Sequence, residues 1–283
     1  MTTERHLAEP ATSTAPVRAA STLRITPLPR ASTAGWRMVE RNFLVYRRVW
    51  PVFVSGFLEP VFYLFSIGIG VGALIGSFQV GGKVVGYADF VAPAMMAASA
   101  MNGAIIDATF NLFFRLKYVK LYDAIVATPM RPIDLATGEL TWCLLRGSTY
   151  SAAFLVLMAI LGYLHSWWAI LAWPVTVLLG FAFGGAGMAL TTFMRSWQDF
   201  QWVQLAILPM FLFSATFFPL DHYAPGLRWV VRATPLYQGV NLVRSLCLGN
   251  VTWSLLVPLV YLLAMGSLGL AVASRRLGIL LLH

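Results

Sequence analysis

A chain of 283 residues that is 59% hydrophobic and only 11% charged, with a mean hydropathy of +0.73, cannot cover a water-facing surface of its own size, because soluble domains carry about 25% charged residues. Its net charge of +9 would point to nucleic acid if the cations formed a patch; here they flank apolar runs, so topology and anionic lipid account for them and nucleic acid is not an expected partner. The apolar runs and their connectors use up these residues and leave no room for a fused motor or sensor domain.

Residues 1–34 are rich in Ala, Thr, Ser and Pro and lack the apolar core of a signal peptide, so a disordered cytoplasmic tail is expected ahead of one membrane domain, 35–283. In 35–50, Trp36, Val39, Phe43 and Tyr46 recur at helical spacing while Arg37, Arg41 and Arg48 lie on the other side. That pattern suits a helix lying in the inner interface, and it equally suits an ordinary flank to a first span.

Six apolar runs follow, at 52–75, 89–110, 143–164, 169–193, 201–219 and 253–273, each close to the ~20 residues that cross a bilayer as a helix. With the N-terminus inside, 16 of the 20 Lys and Arg fall on the cytoplasmic side and only Lys83, Arg228, Arg232 and Arg244 outside. That bias fixes orientation and places both termini in the cytoplasm. Span one carries Gly68, Gly72 and Gly76 at intervals of four, and span four a cluster at Gly180, Gly184, Gly185 and Gly187; close helix packing is the expected use, self-association being one form of it.

Between spans two and three, the connector 115–142 shows an apolar stripe of Leu116, Val119, Tyr122, Ile125 and Val126. Thr128-Pro129 should end that helix, and Asp134 is placed to cap the next. Such a stripe needs a cover, either lipid headgroups or a soluble partner. The outer connector 220–250 is too apolar for a free loop and is interrupted at Thr234-Pro235, which predicts a helical hairpin dipping into the outer leaflet.

Ionisable groups within the spans are few. Glu59 lies about 10 Å deep at 1.5 Å per residue, where an acid costs about 2.5–3.5 kcal/mol and needs a partner, water or a proton. A structural hydrogen bond and a role in a transport pathway both fit it. Asp107 reads as an inner-boundary residue of span two, with the pathway as its alternative. His6, His165, His222 and His283 are scattered without metal-ligand spacing, and Cys143 and Cys247 fall on opposite membrane faces. The segment 77–84, SFQVGGKV, departs from a phosphate-binding loop at Ser77 and Val84. No catalytic cluster emerges, so ATP-driven work would belong to another subunit.

Taken in order, FLEPVFYLFSIGIGVGALIG (57–76), FVAPAMMAASAMNGA (90–104), TPMRPIDLATGELTW (128–142) and TPLYQGVNLVRSLCLG (234–249) resemble the ABC-2 family of transport permeases, most closely its nodulation-J branch. The resemblance runs from about Trp36 to Arg276. It implies a homodimer, each copy docked on a separate ATPase subunit that carries ATP and Mg, with no cofactor bound by this chain. It implies that 115–132 is the coupling helix, taking in Arg115, Leu116, Val119, Tyr122, Asp123, Ile125, Val126, Thr128, Pro129 and Arg131. It makes Trp36, Arg37, Arg41, Phe43 and Arg48 part of the family's interfacial helix, and it matches Gly138-Glu139 to a Gly-Glu pair at the start of span three. Glu59 and Asp107 sit where related permeases also carry acids.

The expected protein is therefore an all-α polytopic membrane protein with six transmembrane helices, both termini cytoplasmic, an interfacial N-terminal helix, a cytoplasmic coupling helix between spans two and three, and a re-entrant outer hairpin between spans five and six. The expected function is ATP-driven export of an amphiphile (a lipid-linked glycan, glycolipid or lipophilic drug) across a bacterial cytoplasmic membrane. The alternatives are an ion- or proton-coupled carrier using Glu59 and a membrane-embedded enzyme acting on lipids.

Overall fold

The computed structural model describes residues 31–47, 58, 61–80, 83–126 and 130–281. Arg48, Glu59, Thr128 and Pro129, most of the tail 1–34 and the first part of span one lie outside them. Helix α1 (Ala31–Tyr46) leads the described chain, beginning a little before the expected domain boundary. Helix α2 covers 64–75, with widened π turns over Leu64–Val71 followed by Gly72–Ile75. A hairpin of β1 (Ser77–Val80) and β2 (Lys83–Gly86), paired antiparallel from Ser77 with Gly86 to Val80 with Lys83, occupies what sequence reading left as an outer loop.

Four helices among the described residues are long and apolar enough to cross a membrane: α3 (Tyr87–Lys117), α5 (Pro132–Ile160), α6 (Trp167–Thr191) and α10 (Trp253–Leu281). Between them lie α4 (Leu121–Val126), α7 (Phe200–Leu212), α8 (Pro225–Ala233) and α9 (Pro235–Leu248). Helix α5 starts well before the predicted 143, because Pro132 opens it and Asp134 accepts from the Arg131 backbone N–H at 3.3 Å, as an N-terminal cap should.

Helix α7 stops short of the predicted span 201–219. Its 13 residues reach about 20 Å, against a hydrocarbon core of about 30 Å. Pro209 lies inside it, and Ala215 just beyond takes φ +54, a left-handed conformation rare outside glycine. Four carbonyls in and beyond its last turn find side-chain donors. The Ser214 hydroxyl donates to Met210, the Tyr223 hydroxyl to Leu212 at 3.3 Å, and Arg244 Nη2 to Ala215 at 2.9 Å and Thr216 at 3.4 Å. Arg244 Nε also donates to the Phe90 carbonyl at 3.0 Å, and its guanidinium lies 3.7 Å over the Phe90 ring. Irregular backbone in an apolar setting survives only when buried and bonded in this way. Arg244, counted above with the outer flanking charges, is thus a buried brace between α3, α9 and the end of α7.

The connector 220–250 forms two helices, α8 and α9, parted at Thr234, whose side chain accepts from the Tyr237 N–H. Helix α9 is the deeper element. Leu236, Val240 and Val243 join Phe90 and Met101 of α3, Phe154 and Met158 of α5 and Leu179 of α6 in the main core. A second apolar cluster at the opposite end gathers Met38, Leu112, Leu116, Tyr122, Leu135, Met188, Ala273 and Leu277. The glycines of span four serve packing within the chain. A Cβ on Gly185 would fall 2.5 Å from the Gly266 carbonyl oxygen, and one on Gly269 would strike the Gly185 backbone, so α6 and α10 touch backbone to backbone.

Gly269→Val should therefore force α6 and α10 apart, costing at least the roughly 1–3 kcal/mol of overpacking. Its melting temperature in detergent should drop well below that of the parent, whereas Gly226→Ala, where a Cβ meets open space, should leave it unchanged or slightly raised.

Candidate functional site

At the end of the bundle that carries α1 and α4, one carboxylate collects donors from three other elements. Glu139, on the second turn of α5, is buried. Arg115 Nη1 from the end of α3 reaches its Oε2 at 2.5 Å, and Asn42 Nδ2 from α1 reaches the same oxygen at 3.2 Å. The other oxygen, Oε1, accepts from the Tyr122 hydroxyl of α4 at 3.2 Å and from Arg41 Nη2 of α1 at 3.4 Å. Burial raises the Tyr122 pKa well above the usual phenol range, and the neighbouring carboxylate adds to the rise, so the hydroxyl stays a donor at physiological pH. Burial lowers the pKa of Arg41, and Glu139 opposes that fall.

Gly138 lets α1 come this close. A Cβ there would fall 2.8 Å from the Gly35 carbonyl oxygen and from the Met38 Cβ. The Gly-Glu pair thus works as a unit, the glycine admitting α1 and the acid holding it.

A second ion pair lies deeper on the same side. Asp107 opens a widened π turn, Asp107–Asn111, in α3 and pairs with Arg146 Nη2 of α5 at 2.6 Å. Asn111 Nδ2 also donates to Asp107, at 2.5 Å. Arg146 Nη1 donates in turn to the Tyr46 hydroxyl of α1 at 3.3 Å, and Tyr46 packs against Trp142 with ring centroids 5.3 Å apart. A cavity of about 20 Å³ lined by Asp107, Asn111, Arg115, Glu139, Trp142 and Cys143 joins the two pairs, room for one water. Asp107 is therefore a paired interior residue, which corrects its reading as a plain boundary residue.

Three further expectations change. Part of the 116–126 stripe is covered by the chain itself, for Leu116 at the end of α3 and Tyr122 on α4 are buried and Ile125 packs beside them in the cluster with Leu135 and Leu277. Val119 lies outside the helix and is exposed. What faces outward is the reversal between α3 and α4, where Phe114, Lys117, Tyr118, Val119 and Lys120 are all exposed. Lys120 holds φ +48 there. On α1, Trp36, Arg37 and Phe43 are exposed, while Arg41 turns inward to Glu139 and Met38, Val39 and Asn42 form the buried face. The two expected faces of α1 are thus rotated by the pull of Glu139. Arg131 stays largely exposed and pairs with Asp134 at 3.3 Å, and Asp123 and Val126 lie on α4.

Comparison with known proteins fits this architecture. A family model described as ABC-2 type transporter matches residues 33–248. The chain belongs to the ABC-2 type transporter family. Among its relatives, nodulation protein J of Rhizobium leguminosarum bv. viciae is 32% identical over 251 residues, covering 86% of this chain and 94% of that protein. Nodulation protein J of Rhizobium meliloti strain 1021 is 32% identical over 222 residues, 76% and 83% of the respective lengths. An ABC-2 permease is a multi-pass membrane subunit of an ABC transporter, and membership implies partnership with an ABC ATPase subunit. The buried carboxylate network therefore lies within the membrane subunit of an ABC transporter. Asn42, Arg146 and Arg244 are the residues that sequence reading missed. Arg146 carried a faint signal, standing one and two helical turns from Trp142 and Glu139 on the same face of α5.

Glu139→Ala should strand two guanidiniums, an amide and a hydroxyl, at a cost of about 3–5 kcal/mol for breaking a buried charge network. Hydrogen–deuterium exchange should then speed up in 31–46 and 121–126 and stay slow in α6 and α10. Unchanged protection of α1 would show that Glu139 does not hold it.

Proposed function

We propose that this chain is the permease of an ATP-driven exporter of an amphiphile, and that the Glu139 network is where movement of the ATPase enters the membrane domain. In this reading the chain crosses a bacterial cytoplasmic membrane six times, with both termini inside and α8–α9 re-entrant from outside. Two copies work with two ATPase subunits that hold ATP and Mg. The observation that carries the proposal is the convergence of α1, α3 and α4 on one carboxylate of α5. A partner pressing on the α3–α4 reversal acts directly on Arg115 and Tyr122, and through Glu139 on α5 and α1.

The docking surface is the exposed apolar and basic rim of that reversal. Tyr118 is 60% and Val119 54% exposed, with Lys117 and Lys120 beside them. Exposed apolar groups rimmed by charge mark protein–protein contact. ATP binding closes the ATPase pair, and unequal contact with this rim in the two ATPase states biases the membrane domain between two arrangements. The apolar surfaces of the helices suit an amphiphilic cargo, and the relatedness to nodulation protein J of rhizobial species is in keeping with a bacterial membrane.

The test is co-purification of the ATPase produced from a neighbouring gene. The double change Tyr118→Glu with Lys120→Glu, which leaves Glu139 and its donors in place, should weaken ATPase binding about tenfold or more while preserving the melting temperature. Equal recovery of the ATPase with the variant would remove the rim as the docking surface. Glu139→Gln should keep the ATPase bound but lower transport per ATP hydrolysed in proteoliposomes.

A further inference from the structure

Helix α7 is held to the bundle along one half-buried edge, Val203, Ile207, Met210 and Phe211. None of its residues is buried, although its composition is as apolar as that of the crossing helices. Between it and the bundle runs an open groove of about 400 Å³, within the size range of small-molecule sites. From mid-membrane to the α1 face its walls include Met210, Ile207, Phe183, Leu190, Phe193 and Trp202.

Two arginines adjoin residues that line the groove near the α1 face. The Arg276 guanidinium lies 4.2 Å over the ring of Phe193, and its buried Nε has no hydrogen-bond partner among the described residues. Arg195 follows the lining residue Met194 and its side chain is exposed. The one acid in the lining, Asp199, is already engaged, accepting from the backbone N–H groups of Arg195 at 2.7 Å and Ser196 at 3.1 Å. Its amide partners also hold its carboxyl below the usual range.

We infer that this groove seats one acyl chain of an anionic phospholipid, with the headgroup phosphate held by Arg276 and Arg195. The apolar trough matches a hydrocarbon chain, and the cations stand at the depth of the headgroups once the α1 face is set at the membrane surface. Basic sites between helices on the cytoplasmic side select anionic headgroups. A zwitterionic lipid would gain the same apolar contact without the net charge attraction. The lipid would fill the space beside α7 and hold that helix against α6, which the protein contacts alone do little to do. This inference needs only the membrane setting of the chain and not the docking of an ATPase.

Delipidated protein titrated with phosphatidylglycerol or phosphatidylcholine of identical chains, and read by native mass spectrometry, tests it. The parent should bind one phosphatidylglycerol per chain about tenfold more tightly than phosphatidylcholine, and glycerophosphoglycerol without chains should not bind. Ala206→Trp, which fills the groove, should abolish the site, and Arg276→Gln should bring the two lipids to equal affinity. Phosphatidylglycerol with a photoactivatable chain should label 193–210 of the unmodified protein above all other membrane-facing segments, a readout that holds even if a variant folds poorly. Equal affinity of the parent for both lipids, unchanged binding by Ala206→Trp, or labelling spread evenly over the helices would each overturn the inference. So would cross-linking of Ala206→Cys to a second copy in place of lipid, because the groove would then be a protein interface.

Discussion

A carboxylate buried near the start of a membrane-spanning helix must be surrounded by donors, and the α1 end of this permease is built to meet that need at Glu139. Taking a charge out of water costs several kcal/mol, and attraction to a partner recovers this only when the remaining lone pairs are also bonded. Glu139 has Arg115 and Asn42 on one oxygen and Tyr122 and Arg41 on the other. Those donors come from three other elements, so α1, α3, α4 and α5 are held at a common point. The Asp107–Arg146 pair repeats the device deeper in the bundle and reaches α1 through Tyr46. Both acids of this end are thus paired to arginines, and together they bind four elements into one body.

The opposite end handles charge differently. Arg244 is fully enclosed, and its recorded partners are carbonyl oxygens and an aromatic face. A cation suits the carbonyl end of a helix, and here it also satisfies the backbone that continues past α7 in a non-helical form. Where the α1 end ties elements together through acids, the hairpin end ties a broken helix to α3 and α9 through backbone oxygens.

Much of this was legible in the chain. Apolar runs located the crossing helices α3, α5, α6 and α10, since only a bilayer or a large core admits such runs. Their ends were misjudged where polar residues are satisfied by tertiary contact. Helix α5 begins at Pro132 because Gly138, Glu139 and Thr141, which lower its local hydropathy, are packed or bonded in the folded protein. The reverse error occurred at 201–219, where Pro209 and Ser214 inside an apolar run should have warned of a break. Periodicity found the stripe of the α3–α4 region but not its target, because a stripe looks the same whether it faces a partner or the chain's own core. The β1–β2 hairpin had a local signal in Gly81-Gly82 between alternating residues. Arg244 had none, since its acceptors are backbone atoms distant in sequence.

These contacts divide the described protein into parts held with very different firmness. Helices α6 and α10 meet backbone to backbone at Gly185 and Gly266, and the Thr191 hydroxyl of α6 donates to the Ala108 carbonyl in the widened turn of α3 at 2.9 Å. Glu139 and Asp107 then lock α3 to α5 and α1. A close-packed body of this kind shifts between discrete arrangements and does not deform continuously. Helix α7 is tied more lightly, through the half-buried Val203, Ile207, Met210 and Phe211, through Phe200 against Phe110 and Phe113, and where Arg244, Ser214 and Tyr223 take up carbonyls at and beyond its end. The locked helices can therefore shift only together, and α7 is the described helix that the fewest backbone and charge contacts tie to them.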